Sequence, residues 1–220
     1  LAVGGIQVNK ADNTECTPLF VACQEGYLKV VERLLSVDGI QVNQAGGIHY
    51  DDEFDRNFFR GDPLETGWTP LNVACLKNHS KIVEMLLAVG GIQVNQAVHQ
   101  ANLGNKGTSC YKEDCTPLVT ACQMGHLKIV EMLLAVDGIQ VNQAVTKVNN
   151  GSCSCSPLIT ACQEGHLKIV EMLLAVDGIQ VNQYDGGGDS PLTSAVTYRH
   201  TDIVLLFLQR GFGHNNINEW

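Results

Sequence analysis

The feature that most constrains this chain is a phrase it repeats. Residues 120–143 match residues 160–183 at every position except Met124 against Glu164. Aligned on Thr-Pro-Leu or Ser-Pro-Leu, five units start at Thr17, Thr69, Thr116, Ser156 and Ser190, the last one divergent. A unit of this size cannot bury its own apolar face, whereas a row of such units can bury each against its neighbours. The expected product is a repeat solenoid.

Each unit reads as two short helices and a connection. A hydroxyl residue before Pro starts a helix, because the side chain caps free N–H groups and Pro fits the first helical position. Ala22-Cys23 and its counterparts are small, so the first helix can be approached closely. Gly26, Gly125 and Gly165 supply the positive φ that ends that helix. The following "LKIVEMLL" has a broad apolar face with Lys and Glu outside it, which is a second helix. Asp-Gly at 38, 137 and 177 turns the chain, and the short alternating "IQVN" after it is expected to be β-like.

These motifs, from Thr-Pro-Leu through the small pair and Gly-His to the closing Val-Asn, resemble the ankyrin repeat over essentially the whole chain. The resemblance implies an all-α repeat solenoid of stacked helix-turn-helix units with β-hairpin loops, elongated and with a concave face. Its repeats would be 17–43, 69–95, 116–142, 156–182 and 190–218, forming a single array over 1–220. Residues 1–16 then read as the tail of a preceding repeat and a connecting hairpin, and Ile217-Asn218 as a closing Val-Asn. The chain is thus expected to be a segment of a longer protein. One departure recurs: the family's His after Thr-Pro-Leu is replaced by Phe20, Asn72, Val119, Ile159 and Thr193. This puts in question the side-chain hydrogen bonds usual at that position, not the fold.

The helices are copied and the spacers are not. Seven residues separate the repeat Asn from the next Thr or Ser at either end of the array, but 44–68, 96–115 and 143–155 hold 25, 20 and 13. Long loops in a compact array are functional or disordered far more often than idle. The first of these extended fingers carries "IHYDDEFDRNFF", which mixes Tyr50, Phe54, Phe58 and Phe59 with Asp51, Asp52, Glu53 and Asp55. Its aromatics either pack on one another to hold the finger upright or anchor a partner, as Tyr and Trp do at interface hot spots. The family resemblance adds a groove, lined by the residue before Thr-Pro and the two before the Gly of the first helix. The expected partner-binding residues are Tyr50, Phe54, Phe58, Phe59, Trp68, Leu76, Lys77, Tyr111, Met124 and Glu164.

Other chemistry is weaker. Cys75/His79, Cys122/His126 and Cys162/His166 imitate a nucleophile and base, but they recur with the repeat, whereas a catalytic pair needs one cleft and an orienting third group. No enzyme activity and no cofactor are expected. Cys23, Cys75, Cys122 and Cys162 form a column of small core residues, too widely spaced on packed helices to share a zinc ion. Cys110, Cys115, Cys153 and Cys155 sit in adjacent fingers and could in principle form a four-thiolate metal site or a disulfide, with free thiols the default. Asp51, Glu53, Asp55, Asn57 and Asp62 fall at calcium-loop offsets, but Arg56 stands where a Gly is needed for the turn.

A net charge of −9 without a basic stripe argues against nucleic acid as partner. No apolar run reaches the roughly 18 residues a bilayer crossing needs, and no leader is visible, so no membrane role and a cytoplasmic location are expected. The reading is a non-enzymatic scaffold that binds a partner protein through fingers and groove. The alternatives are a structural spacer that self-associates, for which the apolar Leu205–Leu208 run of the last repeat is the candidate surface, and a substrate for asparagine hydroxylation at Asn95, Asn142 and Asn182.

Overall fold

The computed structural model describes residues 5–13, 15–49, 64–98, 115–144 and 156–211. Among them are ten helices and one two-stranded sheet, so the repeats are all-α as expected. The chain divides into two compact units, Leu1–Pro117 and Leu118–Trp220. The first holds α1 (Pro18–Gln24), α2 (Leu28–Leu35), β1 (Gly46–His49), β2 (Leu64–Trp68), α3 (Pro70–Leu76) and α4 (Ser80–Leu87). α5 (Pro117–Gln123) opens the second, followed by α6 (Leu127–Leu134), α7 (Pro157–Glu164), α8 (Leu167–Leu173), α9 (Pro191–Thr197) and α10 (Thr201–Gln209).

The helix starts are those the sequence encodes. Thr17, Thr69 and Ser156 cap the N–H groups of Phe20, Asn72 and Ile159 at 3.2, 3.1 and 3.4 Å. Ser190 caps Thr193 at 3.2 Å, and the Thr193 hydroxyl accepts in return from the Ser190 N–H at 2.6 Å. Each first helix is closed by a left-handed residue: Gly26, Gly125 and Gly165 at φ 74°, 71° and 77°, Asn78 and Arg199 at 61° and 63°. The N–H of the residue after it then donates to the carbonyl of the small Ala, as in His79 to Ala74 and His166 to Ala161 at 2.9 and 3.0 Å.

In the first unit α3 packs on α1 and α4 on α2; in the second, α9 packs on α7, and α8 on α6 and α10. The small pair lies at these contacts, with Cys23, Cys75, Cys122 and Cys162 all fully buried. Two side-chain devices fix the register between repeats. His79 donates through Nε2 to the Gln24 carbonyl at 3.0 Å, His166 to that of Gln123 at 3.2 Å and His200 to that of Gln163 at 2.8 Å. The ring lies so close to the preceding helix end that a Cβ on Gly26 would stand 2.6 Å from His79 Cε1, and one on Gly125 2.6 Å from His166 Cε1. Glycine is therefore required there for space as well as for φ.

The second device corrects the expectation for "IQVN". These residues form turns, not strands. With no backbone ladder available, the Asn side chain supplies one rung. Asn9 donates to the Gly39 carbonyl at 2.8 Å and accepts from Gln41 N at 2.9 Å. Asn43 does the same with Gly91 and Gln93, and Asn142 with Gly178 and Gln180, at 2.8–2.9 Å.

The position after Thr-Pro-Leu also resolves. Asn72 keeps polar bonding there, donating to Thr69 Oγ1 at 3.3 Å and to the Gln96 carbonyl at 3.0 Å. Phe20 and Ile159 are simply buried. Phe20 lies beneath the hairpin: a Cβ on Gly46 would meet its ring at 2.9 Å.

Two glycines of the first unit separate space from φ. Gly26 (φ 74°) faces the His79 ring, whereas Gly39 (φ 79°) has no atom within 4 Å of a Cβ. Alanine at either pays the left-handed cost of about 1–2 kcal/mol, and only Gly26→Ala adds the overpacking cost of about 1–3 kcal/mol. Urea unfolding should therefore rank Gly26→Ala clearly below Gly39→Ala; equal losses would mean the His79 contact is not tight.

Candidate protein-interaction surface

The residues closing each first helix include the one position at which the third and fourth copies differ, and the fold leaves most of them accessible. In the first unit Gln24 is half-buried and Glu25 exposed, with Gln24 Nε2 donating to Glu25 Oε1 at 3.2 Å. Lys77, at the end of α3, is half-buried, whereas Leu76 is only 5% exposed. In the second unit Gln123 with Met124, and Gln163 with Glu164, are half-buried, and Thr197 and Tyr198 are exposed. The Gln carbonyls in this set are occupied by the histidines of the next repeat, which leaves the side chains as the variable part.

The residues just before Thr-Pro behave differently from expectation. Trp68, expected as an exposed anchor, is 5% exposed, and its Nε1 has no hydrogen-bond partner among the described residues. Cys16 is buried and donates its Sγ–H to the Gly47 carbonyl at 2.8 Å, and Cys115 is buried with its carbonyl accepting from Val98 N at 3.1 Å. The reason is the hairpin. β1 and β2 pair antiparallel, with Gly46 opposite Trp68 and an irregularity between Gly46 and Ile48, so the base of the first finger lies over Phe20 of α1 and closes on Cys16. Trp68 and Leu76 are thus both buried among the described residues. Tyr50, Phe54, Phe58, Phe59 and Tyr111 lie outside the described residues, as do Cys110, Cys153, Cys155 and the acidic run 51–62.

Two exposed aromatics stand beside the expected partner-binding residues, the first at a groove position that the family resemblance already implied. Tyr198 occupies the same place as Glu25, Lys77, Met124 and Glu164, and is 56% exposed. Tyr184, 59% exposed, sits in the seven-residue connection 183–189, whose ordinary length drew no attention. The signal was there: in the fourth closing phrase the usual Ala after "VNQ" is replaced by Tyr184.

The family model for ankyrin repeats in three copies matches residues 49–145 and 144–218, and the single-repeat model matches 14–46. The chain is an ankyrin-repeat protein. No curated protein shows a significant match to it. Ankyrin repeats are generally protein–protein interaction modules and typically non-enzymatic. Among the described residues no helix is long and apolar enough to cross a membrane.

The apparent Cys-His pairs of this ankyrin-repeat protein are spent on structure. His79 and His166 use Nε2 on backbone carbonyls of the preceding repeat. Burial pushes the Cys23 thiol up to about 12 and raises those of Cys75 and Cys162; Cys122 is raised by burial and then by its neighbour Cys162. These raised values are opposite in direction to the lowered pKa of a reactive cysteine. The Asn142 carboxamide is engaged through both its atoms, so hydroxylation at its side chain would require that rung to open first.

The thiols give a signed pH dependence. Cys23 ionises near 9.0 when unfolded and near 12 in the folded chain. Its contribution is complete below pH 9 and is lost as pH rises towards 12, because only the unfolded chain releases the proton. In that window stability should fall by about 1.4 kcal/mol per pH unit for each such thiol. Urea unfolding at stepped pH should show a shallower alkaline slope for Cys23→Ala; an unchanged slope would contradict the burial of this thiol.

Proposed function

We propose that this ankyrin-repeat protein is a non-enzymatic scaffold that binds a partner protein through its extended finger hairpins and the variable helix ends at Lys77, Met124, Glu164 and Tyr198. The observation that carries the reading is that the single difference between the two most similar copies falls at an accessible helix end. Residues 120–143 and 160–183 differ only at Met124 and Glu164, and that position is half-buried at the end of a helix. A side chain held at the end of a capped, interlocked helix loses little further freedom on binding, which favours affinity.

The first finger adds to this surface. Its base is an ordered hairpin seated on Phe20 and tied by Cys16 to Gly47, so whatever the finger presents is presented from a fixed root. Tyr50, Phe54, Phe58 and Phe59 are the residues it would present, and Tyr111 those of the second finger. The formal charge of −9 favours a partner with a basic surface, which would also speed the encounter.

The test is affinity capture with three chains: wild type, one with residues 50–63 replaced by Asn-Gly, and Met124→Ala/Tyr198→Ala. The two-residue turn suits a hairpin, so β1 and β2 are kept. Circular dichroism establishes that all three are folded. A protein held by wild type, and at least tenfold more weakly by either variant, supports the reading. Loss of one hot-spot side chain of about 2 kcal/mol corresponds to more than tenfold. A partner held equally by all three would place recognition elsewhere.

A further inference from the structure

The turn that closes each second helix carries a reactive dipeptide. Asp38-Gly39, Asp137-Gly138 and Asp177-Gly178 occupy the same place in three repeats, where the second repeat has Gly90-Gly91. A further Asp-Gly, Asp185-Gly186, lies in the connection 183–189. Aspartate next to glycine can cyclise, because no Cβ on the glycine hinders the approach of its nitrogen to the aspartate Cγ. By sequence these sites are equivalent. The structure separates them.

Asp38, Asp137 and Asp177 are exposed, and their carboxylates make no hydrogen bond or ion pair among the described residues. The glycines that follow are left-handed, at φ 79°, 79° and 78°, and no atom lies within 4 Å of where a Cβ would stand. The N–H groups of Gly39 and Gly178 are likewise without an acceptor among the described residues. Carboxyl group and attacking nitrogen are therefore both uncommitted in these turns.

Asp185 is held. Its Oδ1 accepts from Gly187 N and from Asp189 N, each at 2.8 Å. Its own backbone is fixed as well, with N donating to the Asp189 carbonyl at 2.8 Å and O accepting from Gly188 N at 3.1 Å. This network turns the carboxylate towards the nitrogens two and four residues on, not towards that of Gly186. Cyclisation there requires the charge-assisted bonds to be given up first.

We propose that Asp38, Asp137 and Asp177 are sites of spontaneous isomerisation to isoaspartate in the folded chain, and that Asp185 is protected from it. In each turn the glycine nitrogen attacks the aspartate Cγ, the C–O bond to the acid hydroxyl breaks, and the hydroxyl leaves as water with the amide proton. Water then opens the five-membered imide. Cleavage between nitrogen and the side-chain carbonyl restores aspartate, and cleavage between nitrogen and the main-chain carbonyl gives isoaspartate. No oxidant, reductant or cofactor is involved.

The change reaches the contact between repeats. Isoaspartate routes the main chain through Cβ and so lengthens the turn by one atom. The next carbonyl, that of Gly39 or Gly178, is the one that accepts from Asn9 or Asn142 at 2.8 Å, and the same asparagines accept from Gln41 N and Gln180 N. A longer turn displaces that carbonyl and opens the rung. The second repeat, with Gly90 in place of the aspartate, keeps its Asn43 rung beyond reach of this chemistry. The inference is independent of partner binding at the fingers and helix ends.

The test is ageing of the full chain in oxygen-18 water at neutral pH, with a parallel sample in urea, followed by digestion in ordinary water. Each turnover through the imide adds one labelled oxygen, and electron-transfer fragmentation distinguishes isoaspartate from aspartate. Dividing each rate by that of the same residue in urea removes sequence effects. The ratio should be at least about tenfold lower at Asp185 than at Asp38, Asp137 and Asp177, since a hydrogen bond to a charged group must break there first. Equal ratios overturn the proposal, as does an absence of label at the three turns in the folded chain. The rung supplies a second readout. In Asp38→Glu/Asp137→Glu, whose remaining turn site is Asp177, hydrogen exchange at the Gln180 amide should quicken in proportion to isoaspartate. With Asp177→Glu added it should stay constant. Unchanged exchange in the isomerised fraction would contradict the link to the rung.

Discussion

The structure depends on the fit of one imidazole against one glycine. Where a first helix ends, the carbonyl two residues before the left-handed glycine would otherwise be an orphan of the helix terminus. The next repeat's histidine reaches it, as His79 reaches Gln24 and His200 reaches Gln163. The absence of a Cβ at Gly26 or Gly165 is what admits the ring. This single contact ties three requirements together: the helix stops, its last acceptor is satisfied, and the neighbouring repeat is placed in register. The asparagine rung does the same job at the other end of the unit, with a carboxamide standing in for a backbone pair. Neither device uses the side chains that differ between copies.

That division explains how a copied scaffold can carry a particular surface. The column of cysteines, the β-branched residues of the second helices and the Ala of the small pair are buried against neighbours, so any change there is felt by two repeats. Met124 and Glu164 close the first helices of two otherwise matching copies and are only half-buried there. The extended connections follow the same logic. The first finger is rooted by Phe20 under Gly46 and by Cys16 on Gly47, so its base is fixed by the repeat it leaves.

Much of the fold was legible because local and long-range signals agree. Thr-Pro-Leu specifies a capped helix, the Gly specifies where it stops, and "LKIVEMLL" specifies a buried stripe; the helices appear where these say. "IQVN" was misleading because alternation signals a strand only if a neighbouring strand exists to pair with, and here the asparagine side chain takes that part. The surface was less legible. Trp68 looks like an anchor by type, yet it is buried at the base of the hairpin opposite Gly46. Tyr184 lies in a connection of ordinary length, where composition gives no emphasis. Burial depends on what covers a residue, and a single sequence does not say which loop folds back.

The measurement that tests the account most directly is hydroxyl-radical footprinting of the chain alone and bound to its captured partner. The four methionines make it internally controlled: Met85, Met132 and Met172 share one position on the copied second helices, and Met124 alone stands at a variable helix end. The account predicts that the partner suppresses oxidation of Met124 and of Tyr198, and leaves the other three methionines unchanged. Protection of Met132 and Met172 with Met124 unaffected would place the partner on the second helices and contradict it.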